Sequence, residues 1–369
     1  MRVRTCLILL TVLGVVIAGS LAPSLADNGP NHRVRNQHFG VSGGNVNDIT
    51  TRFCCSGTLG ALVTDGTTNY ILSNNHVLGR ADQAVAGEDV NQPGLIDANC
   101  NVNSTTIVGD FTASSPLGSN VDASIAQLRT GTMDASGFIE DIGVPTRSVV
   151  APTVGMSVAK SGRTTGFTTG SITSINTSVN VQYQKNCGSG KKFTVGYTNQ
   201  IVISPGAFSA GGDSGSLIVT NNSAHNPVGL LFAGSSSATI ANRASEVLTR
   251  LSNVIGRSLT FVGSGTASPT ILSSQSEADV TPFIRGRGQM RQLPEQAANR
   301  ALAVLELHRA NLMATPGVIG AGVGATAEDE TEPAIVIYFD RTAPGRPFFA
   351  QSMDGIAVRV VLSDPFVAF

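Results

Sequence analysis

The chain has 369 residues, 24 basic and 25 acidic side chains, a formal net charge of −1, and 41% apolar against 13% charged residues. That balance excludes a disordered chain and calls for a packed core; with only four lysines it also argues against a nucleic-acid-binding face. Forty-one glycines, no tryptophan and abundant Ser and Thr point to short strands and tight turns, not a helical bundle.

Residues 1–26 read as a secretory signal peptide. Arg2 and Arg4 precede an apolar run over residues 6–19, and Ser24-Leu25-Ala26 is a small-residue cleavage site. The run falls short of the ~20 apolar residues that a span needs. The expectation is an exported protein, extracellular or periplasmic, with no membrane association after cleavage. Beyond the signal stand Cys54, Cys55, Cys100 and Cys187, an even set that suits two disulfides in an oxidising compartment. A bond between the adjacent Cys54 and Cys55 would demand unusual geometry, so each is expected to pair with Cys100 or Cys187. No C-x-x-C or histidine cluster suggests a metal, and no cofactor is implied.

Residues 27–50 are polar and rich in Asn and Gly, and read as an N-terminal arm. A hairpin follows, with strands over 57–64 and 69–73 and a turn at Asp65-Gly66. Further strand-like runs lie at 106–111, 123–128, 157–159, 171–175, 180–183, 200–203, 216–220 and 228–232, separated by turns and without intervening helices. This predicts an antiparallel sandwich or pair of barrels. The spacing of Val247, Leu248, Leu251 and Ile255 predicts a helix over 244–255. Residues 263–282 are Gly/Ser/Thr/Pro-rich and read as a linker. A helix over 294–312 and strands over 318–325, 334–339 and 356–362 then predict a separate accessory α+β domain over 283–369. Its role, whether homo-oligomerisation, control of access or surface binding, is left open. On its helix His308 reads as a packed histidine, and the acids at 328–332 as a solvated turn.

Three segments carry chemistry together. In Gly211-Gly212-Asp213-Ser214-Gly215, glycines let the backbone turn tightly around a serine, so that the N–H groups of Gly212 and Ser214 can converge on an oxyanion. A serine hydroxyl needs a neighbouring base. His76 in Asn74-Asn75-His76-Val77 follows a strand, and Asp122 in Asn120-Val121-Asp122-Ala123 precedes one. The order His, Asp, Ser matches the chymotrypsin arrangement and excludes the Ser-Asp-His order of α/β-hydrolases.

With these segments, and with Lys160-Ser161-Gly162-Arg163-Thr164-Thr165-Gly166, residues 51–262 resemble the chymotrypsin-fold serine peptidases. The likeness is to the secreted bacterial α-lytic type and to bacterial relatives of plant narrow-leaf peptidases. The resemblance implies an all-β double barrel, two six-stranded antiparallel barrels, with the small C-terminal α+β domain beside it. It implies His76 as general base, Asp122 as its orienting partner and Ser214 as nucleophile. It also implies that Arg163 pairs with the buried Asp213. A specificity pocket is implied at Phe208, Ser209, Phe232, Ala233 and Gly234. No charge lines it, so a small or medium apolar side chain is expected there. The sequence departs from the family at Asn74-Asn75-His76-Val77, where Ala-Ala-His-Cys is usual, and at Ser216, where a glycine is usual.

The function expected is a secreted serine endopeptidase acting on protein or peptide substrates. Its rivals are a non-catalytic binding or assembly protein on the same scaffold, and a self-processing peptidase cutting its own linker.

Overall fold

A computed structural model describes residues 32–265, 291–345 and 347–369. The expected signal peptide over 1–26 and all but the first three residues of the expected linker over 263–282 lie outside the described residues.

The first barrel is built from β1 (Val41–Asn45), β2 (Gly57–Leu59), β3 (Ala61–Thr64), β4 (Asn69–Ser73), β5 (Asp89–Gln92), β6 (Thr106–Ser114) and β7 (Ser124–Leu128). They pair antiparallel in the order β3-β4-β7-β6-β5-β1-β2. β2 and β3 are two halves of one run broken at Gly60, so the ends of the sheet meet and the strip closes as six strands. Alternation along each strand turns Leu59, Leu62, Ile71, Val90, Val108 and Ile125 into a dry interior. β4 ends in the four-residue helix α1 (Asn75–Leu78). The expected arm over 27–50 is corrected here. Val41-Ser42-Gly43-Gly44-Asn45 shows no apolar alternation, yet all five residues are buried as β1, held by pairing to Leu59 on one side and Asn91 on the other.

The second barrel comprises β8 (Ser157–Gly162), β9 (Gly166–Asn186), β10 (Ser189–Ser204), β11 (Leu217–Thr220), β12 (Pro227–Gly234) and β13 (Thr239–Arg243). They form a closed ring, β8-β9-β10-β13-β12-β11 and back to β8, with every pairing antiparallel. Helix α2 (Ala244–Ile255) matches its predicted bounds. It buries Ala244, Val247 and Leu251 and ends at Gly256 in the left-handed region. β14 (Thr260–Phe261) then returns to pair with β3.

The expected separate domain over 283–369 is also corrected. β9 runs for 21 residues, far more than the barrel uses. Its surplus leaves a free edge of unpaired backbone groups. β15 (Val318–Ala325) takes that edge over Ser174–Val179, and β16 (Pro333–Asp340), β18 (Ile356–Ser363) and β17 (Ser352–Met353) continue the same sheet outward. Close approach explains the small residues of β15: a Cβ on Gly322 would lie 2.3 Å from Thr177 Oγ1 and 2.4 Å from Ser174 Oγ. Helix α3 (Glu295–Ala314) packs Ala298, Ala301, Leu305 and Leu312 into one core with Ile172, Ile203 and Leu231 of the barrel. Helix and strands thus occur almost where expected, but fused to the second barrel. The last strand, β19 (Phe366–Ala368), leaves this sheet and lies between β12 and β9.

Two disulfides close the framework, Cys54–Cys100 and Cys55–Cys187. Each of the adjacent cysteines takes a distant partner, as the geometry required.

Candidate active site

His76 and Asp122 of the first barrel are in contact, and the serine loop of the second meets the first barrel where the Thr58 N–H donates to the Ser214 carbonyl at 2.8 Å. His76 stands on α1, at the end of β4. Its Nδ1 lies 2.7 Å from Asp122 Oδ2, and its backbone N–H reaches Asp122 Oδ1 at 3.2 Å. The asparagines that depart from the family pattern hold this pair together. Asn74 Nδ2 donates to the Asp122 carbonyl at 2.6 Å, and Asn75 Nδ2 donates to the Ser115 carbonyl at 2.7 Å and to Asp82 Oδ1 at 2.6 Å. The histidine and aspartate loops are therefore stitched by side chains where alanines could offer nothing.

Asp122 is fully buried, and its charge is met by more than the imidazole. The Tyr183 hydroxyl donates to Oδ2 at 2.8 Å and itself pairs with the Tyr197 hydroxyl at 2.6 Å. The Asp122 N–H donates to Asn242 Oδ1 at 3.0 Å. Burial, with the nearby Asp122 charge, pushes the Tyr183 phenol well above its ordinary range, so it remains a donor. Sequence reasoning missed Tyr183. It sits in a run read only as a strand, and nothing local marks it as a neighbour of a residue 61 positions away. For His76, burial pushes the pKa down. The charge and hydrogen bond of Asp122, aided by the Phe369 carbonyl and Asp48, push it up and win, so the imidazole titrates above its ordinary value.

Ser214 is buried on the loop between β10 and β11, and its Oγ lies 3.3 Å from the Phe232 carbonyl. The N–H groups of Asp213, Gly215 and Ser216 are taken by the carbonyls of Ala210, Leu231 and Asp213. Among the described residues those of Gly212 and Ser214 find no carbonyl, which leaves the two expected oxyanion donors unspent. Gly212 has φ +98°, and a Cβ there would lie 2.5 Å from Thr164 Oγ1. Ser216, the second departure, donates from Oγ to the Asp213 carbonyl at 2.6 Å and braces the loop.

The expected Arg163–Asp213 pair is not formed. Arg163 makes a two-pronged contact with Asp97, Nε to Oδ2 and Nη2 to Oδ1, both at 2.7 Å. Asp213 faces Lys160 Nζ at 3.5 Å instead, and accepts from the Thr164, Thr165 and Ala210 N–H groups and from Thr165 Oγ1. The reason lies in strand alternation. Lys160 shares the inward face of β8 with Val158, beneath the serine loop, whereas Arg163 stands past the strand end and reaches across to the first barrel. Burial pushes the Lys160 amine down while Asp213 opposes it. Both cations lay in the quoted motif, and Lys160, the fully buried one, was the missed candidate.

The expected pocket residues divide. Phe208 is buried in the second core, its ring 5.9 Å from Lys160 Nζ, and Ser209 Oγ bonds Thr239 Oγ1 at 2.5 Å. Phe232, Ala233 and Gly234 are buried at the end of β12, Phe232 against Tyr197, with Ala233 paired to Ala368 and Gly234 to Val367 of β19. Beyond β19, Phe369 places its carbonyl oxygen 3.1 Å from His76 Nε2. Past that point an open cavity of about 320 Å³ continues the cleft, lined among others by His76, Val77, Gly212, Arg163 and the Cys55–Cys187 bridge.

The family model described as the Nal1 C-terminal domain matches residues 96–257, under half of the chain. The match holds Asp122 and Ser214 and begins after His76. Solved structures that match include a glutamic-acid-specific serine protease described as using a histidine triad in substrate binding, at 21% identity, 60% of this chain, 98% of that chain and TM-score 0.42. Thermobifida fusca protease A matches at 18% identity, 62% and 99% coverage and TM-score 0.41. The α-lytic protease homologue N4 matches at 19%, 62% and 98%, and 0.39. No curated protein matches. The chain is similar to chymotrypsin-fold bacterial serine proteases. The double barrel itself is read from the two strand rings above.

Proposed function

We propose that the chain is an exported serine endopeptidase. Ser214 Oγ attacks the carbonyl carbon of a peptide bond while His76 Nε2 takes its proton, and Asp122 holds the ring and stabilises the imidazolium. The N–H groups of Gly212 and Ser214 receive the oxyanion. His76 returns the proton to the leaving amine. Water then attacks the acyl-enzyme, giving its proton to His76, and Ser214 is restored as the acid departs.

The observation that carries this reading is the buried His76–Asp122 pair at 2.7 Å, facing a cleft whose serine loop keeps two N–H groups unspent. A binding or assembly role would need neither feature. Export draws support from the two disulfides, which persist in oxidising compartments. The segment Phe232-Ala233-Gly234 carries no charge, which favours an apolar side chain before the cleaved bond.

The test is labelling of the purified protein by a fluorophosphonate, beside Ser214→Ala and His76→Ala. Labelling that requires both residues is expected. A folded protein that stays unlabelled, with its cleft free of residues 366–369, would leave the binding role in possession of the scaffold.

A further inference from the structure

The cleft already holds a peptide, and it belongs to the same chain. β19 runs antiparallel to β12, with Ala368 opposite Ala233 and Val367 opposite Gly234, and parallel to β9, with Phe366 opposite Val181. An extended peptide added between two strands is held by main-chain hydrogen bonds, and its alternate side chains enter pockets. Here the ring of Phe369 lies on Gly234, where an added Cβ would sit 2.5 Å from its Cζ. Phe366 is fully buried and meets Tyr338 edge-on, with centroids 5.8 Å apart. Upstream, Ser363 Oγ bonds the hydroxyls of Ser235 and Ser237, both at 2.9 Å, and Arg341 reaches Asp364 at 3.1 Å. The approach to the cleft is thus built into the fold.

The contact at His76 has a chemical consequence. The Asp122 carboxylate and the Phe369 carbonyl oxygen are both acceptors, so both ring nitrogens must donate. A histidine so engaged has no lone pair for the Ser214 proton. Ser214 Oγ correspondingly has the Phe232 carbonyl as its hydrogen-bond partner.

We propose that residues 366–369 are a tethered ligand of the groove, pairing with β12 as the acyl side of a substrate would but with the Phe369 carbonyl turned to His76 instead of to the Gly212 and Ser214 N–H groups. They would hold the site closed and mark it as one for peptides with an aromatic residue immediately before the cleaved bond. This rests on the peptidase reading. It assigns a larger side chain than the small or medium one expected from the sequence, and it makes Gly234 the residue that admits the ring.

Two readouts on the full chain separate the inference from the reading beneath it. The first is amide exchange at Val367 and Ala368, compared with Phe369→Gly. The second is the rate of fluorophosphonate labelling of the same two proteins, with a peptide library then given to the variant. Slow exchange in the parent, faster exchange in Phe369→Gly, labelling that rises about tenfold and cleavage after Phe or Tyr are expected. Gly234→Val should shift cleavage to small residues, and should it fail to fold, Phe369→Gly still decides. Unprotected tail amides with equal labelling of both proteins would overturn the inference, as would cleavage after Arg or Glu. Protected tail amides with no labelling of either protein would uphold the seating of the tail and overturn the peptidase reading instead.

Discussion

The two barrels close in different ways, and the difference follows what each gives the cleft. The first is sealed by one run, β2 and β3, that joins both ends of its sheet, and it carries His76 and Asp122 on short loops tied by Asn74 and Asn75. The second closes as a ring, but β9 overruns it and offers an edge that β15, β16, β18 and β17 extend, while β19 enters the cleft beside it. The closed half fixes the acid–base geometry. The half with the overrun carries the pairing partners of β19, the strand whose next residue, Phe369, meets His76. In the proposed peptidase, proton transfer would thus fall to the closed half and peptide binding to the elaborated one.

The strongest way to break this division is at its centre. In Asp122→Asn the ring loses its orienting charge, and kcat should fall by about 10³–10⁴ with the fold retained, measured on a peptide reporter. The remaining burial would push His76 down, so the acid limb of kcat/KM should move to lower pH. In the parent that limb should lie above the ordinary histidine value, because the base works only when neutral and its pKa is raised.

Next comes the charge that the second barrel hides. Lys160→Met strands Asp213 without its cation, at a cost of about 3–5 kcal/mol, measured by denaturant unfolding. Adding Asp213→Asn should recover part of that. A loss no larger than that of a surface lysine would show that the backbone N–H groups suffice for Asp213.

A subtler probe crosses the cleft. Tyr183→Phe removes the one donor that the second barrel's overrun gives Asp122, and kcat/KM should fall about tenfold, the worth of a hydrogen bond to a charged group. Its acid limb should move upward, since a less satisfied Asp122 holds the His76 proton more strongly. An unchanged pH profile would make Tyr183 a packing residue only.

The smallest effect belongs to Asp48, a carboxyl that burial pushes up to about 6 and whose charge helps raise His76. Asp48→Asn should lower the acid limb, by less than Asp122→Asn, with kcat at its plateau unchanged.

Much of this was legible in the chain, and what was not has a physical cause. The strand over 69–73, the helix over 244–255 and the strand over 318–325 occur with the bounds that their patterns suggest, because a short apolar run between turn residues, or helical spacing, suffices to define them. Long-range pairing left no such mark. Residues 171–175 and 180–183 read as two strands, yet they lie in the single β9, whose register shifts against β10 interrupt the pattern. β1 and β19 are short and lack alternation; their neighbours, not their sequences, make them strands. The catalytic candidates were visible because loops that hold them need unusual residues in order. Tyr183 and Lys160 were not, because each acts through a contact across the barrel that ordinary strand residues can make.

The Cys55–Cys187 bridge has a mechanical consequence. It runs from the first barrel's side of the cleft to the tip of the β9–β10 hairpin, and both cysteines line the open cavity beyond Phe369. With Arg163 and Asp97 spanning the barrels nearby, the jaws are pinned at that rim. Opening at that rim would have to break the Arg163–Asp97 pair and carry the hairpin tip along with the first barrel. On the proposed reading, traffic would run lengthwise, with β19 leaving its place between β12 and β9 as a substrate strand threads in.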